Sequence, residues 1–138
     1  MKEKSKTLFM NIAKTVAEQS TATRLKVGAI CVHENENQII SIGYNGTPPG
    51  WDNVCESDDN KTLDHVIHAE ANMLGKICQS SVSAKNSTIF LTHSPCMECS
   101  KLMCVAGVKR VIYSTEYRCQ KGIEFLRKCG IEVEKFTI

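Results

Sequence analysis

The sequence predicts an α/β fold: one domain with a mixed five-stranded sheet covered by helices on both faces. Three observations lead there. The chain opens on an amphipathic helix, continues into two apolar runs joined by a short polar turn, and then alternates strand-like with helix-like segments. Its 138 residues suit a single domain spanning 1–138. A chain of that size buries about two-thirds of its unfolded surface, so it needs no disulfide or metal staple merely to fold.

Each element has its own signal. Leu8, Phe9, Ile12, Ala13, Val16 and Ala17 recur at helical spacing, which predicts a helix from about residue 5 to 19. Val27 to Val32 and Gln38 to Tyr44 are apolar runs, and His33-Glu34-Asn35-Glu36-Asn37 between them has the composition of a hairpin loop. Gly43-Tyr44-Asn45-Gly46-Thr47-Pro48-Pro49-Gly50 is dense in turn formers and predicts an irregular loop to about Asp64. Ala69 to Ile77 follows as a helix, with Met73, Leu74 and Ile77 on its apolar side, and Thr88 to Thr92 as a strand. Pro95 suits a first helical turn, in a helix that runs to about Ala106 and stops at Gly107. Arg110 to Tyr113 is a strand, Gly122 to Lys128 a helix ending at Gly130, and Ile131 to Phe136 the last strand.

Charge and cysteine usage narrow the function. Seventeen Lys and Arg against fifteen Asp and Glu leave +2, too little for a protein that lives on polyanions. There is neither a long apolar run nor an apolar N-terminal h-region, so the expectation is a cytoplasmic protein without membrane attachment. Eight cysteines then read as mostly free thiols in a reducing compartment, with Cys96 and Cys99 as one chemically special C-x-x-C pair.

A lone C-x-x-C fits a redox pair, half a structural zinc finger, or chance. His68-Ala69-Glu70, 28 residues upstream and also at a predicted helix start, tips the balance toward metal. A catalytic zinc keeps three protein ligands and one open position, and His68, Cys96 and Cys99 supply three. Two thiolates offset the charge of Zn²⁺, while helix N-termini favour thiolate over thiol. Glu70, two residues past the histidine, is aimed at the same place without ligating. H-x-E followed by P-C-x-x-C is the zinc deaminase signature, with the glutamate as general acid and base.

Through these motifs the chain resembles the zinc-dependent cytidine deaminase superfamily. Thr23-Arg24-Leu25-Lys26-Val27-Gly28-Ala29 and Gly43-Tyr44-Asn45-Gly46-Thr47-Pro48 make it similar to the deoxycytidylate (dCMP) deaminases within it. The resemblance covers nearly the whole chain and implies the cytidine deaminase-like sheet with its last two strands parallel. It implies hydrolysis of dCMP to dUMP and ammonia, feeding thymidylate synthesis. It further implies one catalytic zinc per chain and a homo-hexamer. It implies activation by dCTP and inhibition by dTTP, with Mg²⁺ accompanying the triphosphate at a loop that includes Gly43, Tyr44 and Gly46.

The same resemblance suggests the substrate contacts. Arg24 is expected to hold the 5′-phosphate, for which a guanidinium is well shaped. Asn45 is expected to face the sugar, and Tyr117 and Arg118 to contact base and phosphate. Ala69 and Ser94, beside the ligands, complete the set. His93 reads as a pocket wall or surface residue, His65 as a solvated loop residue within reach of the phosphate, and Trp51 and Cys55 as packing for the long loop or a subunit contact. Cys31 and Cys104 read as buried free thiols. A structural second zinc in some members uses a cysteine just before the Arg24 region. Here Thr21-Ala22-Thr23 stands there, and only twelve residues separate Cys55 from His68. The nearest alternative, a tRNA adenosine deaminase, predicts a basic face that Glu132 and Glu134 near the C-terminal end do not suggest. A zinc-binding module without catalysis would leave Glu70 idle.

Overall fold

A computed structural model describes residues 1–33, 35, 37–117 and 119–138. The elements run α1 (Glu3–Ala17), β1 (Gly28–His33), β2 (Gln38–Tyr44), α2 (Ala69–Cys78), β3 (Thr88–His93), α3 (Met97–Val105), β4 (Arg110–Thr115), α4 (Lys121–Lys128) and β5 (Glu132–Lys135). All nine predicted elements are present, and their order in the sheet is β2-β1-β3-β4-β5. β1 pairs antiparallel with β2 and with β3, whereas β3–β4 and β4–β5 are parallel.

The sheet has helices on both faces because its central strands alternate. Ile30, Val32, Phe90 and Ile112 point to one side, where Phe9, Met10, Ala13 and Val16 of α1 cover them. Ala29, Cys31, Ile89, Leu91, Val111 and Tyr113 point to the other, against Met73 and Ile77 of α2, Met103 of α3, and Ile123 and Leu126 of α4. Central strands buried on both faces read as the continuous apolar runs seen in the sequence. Lys6 closes the α1 side by an ion pair to Glu134 of β5 at 2.8 Å.

The boundaries differ from expectation by a few residues, each for a local reason. α1 starts and ends two residues early, and Glu18, Gln19 and Ser20 form a tightening turn through N–H bonds to Thr15, Val16 and Ala17 carbonyls. Pro95 lies outside α3, whose first helical residue is Met97. Cys96 takes the N-cap because its sulfur accepts the Cys99 N–H. The last strand is shorter than Ile131 to Phe136 because Ile131 turns inward as the closing residue of α4. β1 and β2 pair antiparallel, with a bulge in β2 opposite Cys31 and Val32, while Glu34 and Glu36 of the expected hairpin loop lie outside the described residues.

The connection from Asn45 to His68 is longer than expected but well pinned. Gly46 and Ile67 exchange backbone bonds, as do the flanks of the tip, where Glu56 pairs with Thr62. Ser20 Oγ donates to the Asn45 carbonyl at 2.7 Å and Thr21 Oγ1 to the Asn53 carbonyl at 3.1 Å. The loop is thus folded back on the residues just after α1, and the cleft described next lies between them.

Candidate active site

Two helix N-termini meet beyond the C-terminal end of the central strand β3. α2 begins directly after His68, and α3 directly after Cys96, so both N-caps are metal-type ligands. The His68 Nδ1 lies 3.6 Å from Cys96 Sγ and 3.4 Å from Cys99 Sγ. All three ligating atoms fall within 4.8 Å of one another. A tetrahedral zinc with sulfur at about 2.3 Å and nitrogen at about 2.05 Å requires S···N edges of about 3.6 Å. Both S···N separations match that edge to within about 0.2 Å, so the three residues fit a zinc ion.

The donor chemistry agrees. Hydrogen bonds from the Cys99 thiol and then from His68 pull the Cys96 thiol down to about 3. The Cys99 thiol is pushed far up, first by its hydrogen bond to Cys96 and then by burial. His68 is raised, chiefly by its hydrogen bond to Cys96. One thiolate is comfortable here and a second is not, unless a cation joins them. Zn²⁺ is such a cation.

Glu70 sits in the first turn of α2 and is only 5% exposed. Burial, reinforced by the negative charge of Cys96, raises its carboxyl to about 7. A carboxyl balanced between acid and base at neutral pH is suited to move protons.

Arg24, Asn45, His68, Ala69, Glu70, Ser94, Cys96 and Tyr117 line one cleft of about 120 Å³. Cys99 lies behind it as the third ligand. Arg118 lies outside the described residues. Arg24 is exposed, and its Nη1 reaches Thr62 Oγ1 at 3.5 Å. Ser94 Oγ accepts the Tyr117 N–H at 2.7 Å, which ties the segment after β4 to the residue before Pro95. The Asn45 amide is already engaged: its Oδ1 accepts the Val27 N–H at 2.9 Å and its Nδ2 donates to the Leu25 carbonyl at 2.8 Å. Its amide holds the start of β1 in place, leaving one N–H hydrogen for anything else.

Gly43 takes a different place from its two loop neighbours. A Cβ there would lie 2.5 Å from the Ala69 carbonyl oxygen and 2.6 Å from the Met73 nitrogen, so the glycine lets α2 lie directly on β2. Gly122 does the same for α4, where a Cβ would stand 2.3 Å from the Pro95 carbonyl oxygen. Tyr44 and Gly46 line a second, wider cavity of about 440 Å³ with Thr47, Trp51, Asn72 and Lys76. His65 is half-buried against the Trp51 ring, 4.9 Å between centroids, and does not line the first cleft.

Sequence reasoning missed Glu56. Its carboxylate accepts the N–H groups of Thr23 and Arg24, both at 3.1 Å, and the Thr23 hydroxyl at 3.0 Å. Slight desolvation pushes its carboxyl up, but these hydrogen bonds outweigh it and hold the group below its ordinary value. Thr62, Cys55 and Ala22 also line the cleft. His93 is a wall residue, as expected.

The sequence model of the cytidine and deoxycytidylate deaminase zinc-binding region matches residues 3–115. The chain is 45% identical to the dCMP deaminase of cyanophage S-TIM5, crystallised in complex with dCMP and dUMP. That match covers 99% of both chains at a TM-score of 0.95. It is 32% identical to the deoxycytidylate deaminase of Saccharomyces cerevisiae over 94% of this chain and 44% of the yeast protein. Against the human deoxycytidylate deaminase it is 34% identical over 78% of this chain and 63% of the human one. The chain thus spans about half the length of these two curated relatives.

Proposed function

This chain belongs to the cytidine and deoxycytidylate deaminase zinc-binding family, and we propose that it hydrolyses dCMP to dUMP and ammonia. The observation that carries the reading is a buried Glu70 beside a zinc-shaped His68, Cys96 and Cys99 triad, in a cleft that Arg24 also lines. The phage relative crystallised with dCMP and dUMP supports the choice of substrate.

His68, Cys96 and Cys99 would hold the zinc, which when bound acidifies water enough for it to act as a nucleophile at neutral pH. Glu70 accepts the proton of the water that adds to cytosine C4, passes a proton to N3, and protonates the departing amine. Its burial keeps the carboxyl near the pKa at which both transfers are easy. Burial also keeps solvent from competing for that proton. Arg24, held by the Glu56 carboxylate through its own backbone N–H, presents a guanidinium for the 5′-phosphate. Ala69, Ser94, Asn45 and Tyr117 shape the space for base and sugar, with Arg118 a second phosphate cation.

Regulation belongs to the same proposal. The 440 Å³ cavity beside Tyr44 and Gly46, with Lys76 at its rim, suits a triphosphate. We assign it to dCTP as activator and dTTP as inhibitor, with Mg²⁺ on the phosphates. Exposed Leu102 and Val105 on α3 offer apolar surface for a homo-hexamer. Eight unpaired cysteines suit the cytoplasm, and among the described residues no helix is long and apolar enough to cross a membrane.

The test is ammonia release from dCMP, dCTP, CMP, deoxycytidine and tRNA by the purified zinc-loaded protein. Preference for dCMP supports the reading. Release from tRNA or deoxycytidine with dCMP untouched overturns it.

A further inference from the structure

His93 is the last residue of the central strand β3, three residues before the zinc ligand Cys96, and its ring is half-buried in the wall of the cleft. What it can offer a ligand is fixed by its neighbour. Thr92 Oγ1, buried at 5% exposure, accepts the Gly28 N–H at 3.1 Å and lies 2.9 Å from His93 Nδ1. A hydroxyl carries one proton, and among the described residues no other acceptor meets this one. Leaving a buried hydroxyl hydrogen unpaired is unfavourable, so it goes to Nδ1. Nδ1 is then an acceptor and the ring proton sits on Nε2. Burial also lowers the imidazole pKa, keeping the ring neutral.

Nε2–H has no protein partner among the described residues. It stands at the C-terminal end of the central strand β3, with Val27 before β1 and Asn45 after β2 on one side and Tyr117 after β4 on the other, all lining the cleft with Ser94. Asn45, the amide expected at the sugar, spends an acceptor and a donor on the Val27 and Leu25 backbone. His93 is therefore a neutral donor in the same cleft as Glu70 and Arg24, with no protein partner among the described residues.

We propose that His93 Nε2–H donates a hydrogen bond to an oxygen of the nucleotide's sugar-phosphate, making His93 a recognition residue of the cleft. This rests on reading the cleft as a nucleotide site. The backbone relay Gly28 N–H to Thr92 hydroxyl to His93 Nδ1 presets the donor before substrate arrives, so little is lost in ordering it on binding.

Two measurements test it. Long-range ¹H–¹⁵N correlation spectra of zinc-loaded protein, labelled at histidine ring nitrogens, should show His93 protonated on Nε2 at neutral pH. Thr92→Val should disturb that signature. A His93 proton on Nδ1 overturns the proposal. In kinetics, His93→Phe, which keeps an aromatic ring but has no donor, should raise the KM for dCMP about tenfold. kcat should stay within about threefold and zinc content should be unchanged, while His93→Gln should recover part of the loss. Deoxycytidine and 2′,3′-dideoxycytidine 5′-monophosphate locate the acceptor. A penalty missing only from deoxycytidine places it on the phosphate, one missing only from the dideoxy compound places it on the 3′ oxygen, and either supports donation. Equal losses on all three substrates, or an unchanged KM for dCMP, overturn it. Wild-type protein inert toward dCMP would instead sink the functional reading, and the spectrum would still decide the donor.

Discussion

On the proposed function, Gly43→Ala should disable dCMP turnover from a position that lines neither cavity. The added methyl would meet the Ala69 carbonyl oxygen at 2.5 Å, the Met73 nitrogen at 2.6 Å and the Met73 Cα at 3.0 Å. These are backbone atoms of α2, so no side-chain rotation relieves the overlap. Ordinary contact starts at about 3.4 Å, and α2 must therefore move from β2 by about 0.9 Å. Overpacking of this kind costs about 1–3 kcal/mol, a fall in Tm of roughly 4–12 °C for a domain of this size. The functional loss should be larger, because α2 carries His68 at its N-cap and Glu70 in its first turn. Misplacement by about 1 Å can cost ~10²-fold in rate. Gly75→Ala is the control: it lies on the exposed side of the same helix, nothing stands within 4 Å of its added Cβ, and helix propensity should add roughly 0.5–1 kcal/mol. Thermal unfolding and dCMP turnover on both variants test the reasoning. A Gly43→Ala protein with wild-type Tm and rate would refute it.

Other expectations follow from the same geometry. The Glu56 carboxyl is held below its ordinary 4.5 in the folded protein, so its contribution is complete above pH 4.5 and lost as pH falls through the depressed native value. Urea unfolding of wild type and Glu56→Gln should show a stability gap that closes over that acid range; a gap constant with pH would contradict the clamp. Arg24→Ala should lower kcat/KM for dCMP about tenfold to a hundredfold, with little change for deoxycytidine. Equal losses would give Arg24 a structural role. Cys96→Ala and Cys99→Ala should each lose zinc and lower the unfolding midpoint. Full zinc retention by either would remove that residue from the ligand set.

The strands and helices were legible because burial on both faces of β1, β3 and β4 leaves apolar runs, and because Gly107 and Gly130 end helices with positive φ. The triad and Glu70 were legible because each half is local: H-x-E opens α2, and P-C-x-x-C opens α3. Glu56 was not, since it acts on Thr23 and Arg24 from more than thirty residues away through a loop with no periodicity. Gly43 looked like a loop residue because its turn-rich neighbours hide what only the approach of α2 reveals. Asn45 was read by its side chain alone, whereas its partners are backbone groups of Leu25 and Val27. His93 required the tertiary link from Gly28 to Thr92 before its role as a donor could be stated.

In the proposed mechanism the buried Glu70 carboxyl beside the zinc triad carries the proton transfers of dCMP hydrolysis. Glu70→Gln tests it most directly, since the change removes the proton carrier and leaves all three ligands. Metal content and dUMP formation should be measured on the same preparation. One zinc per chain, a fold as stable as wild type, and turnover reduced by at least ~10²-fold are expected. A zinc-loaded Glu70→Gln protein that converts dCMP at the wild-type rate would contradict it.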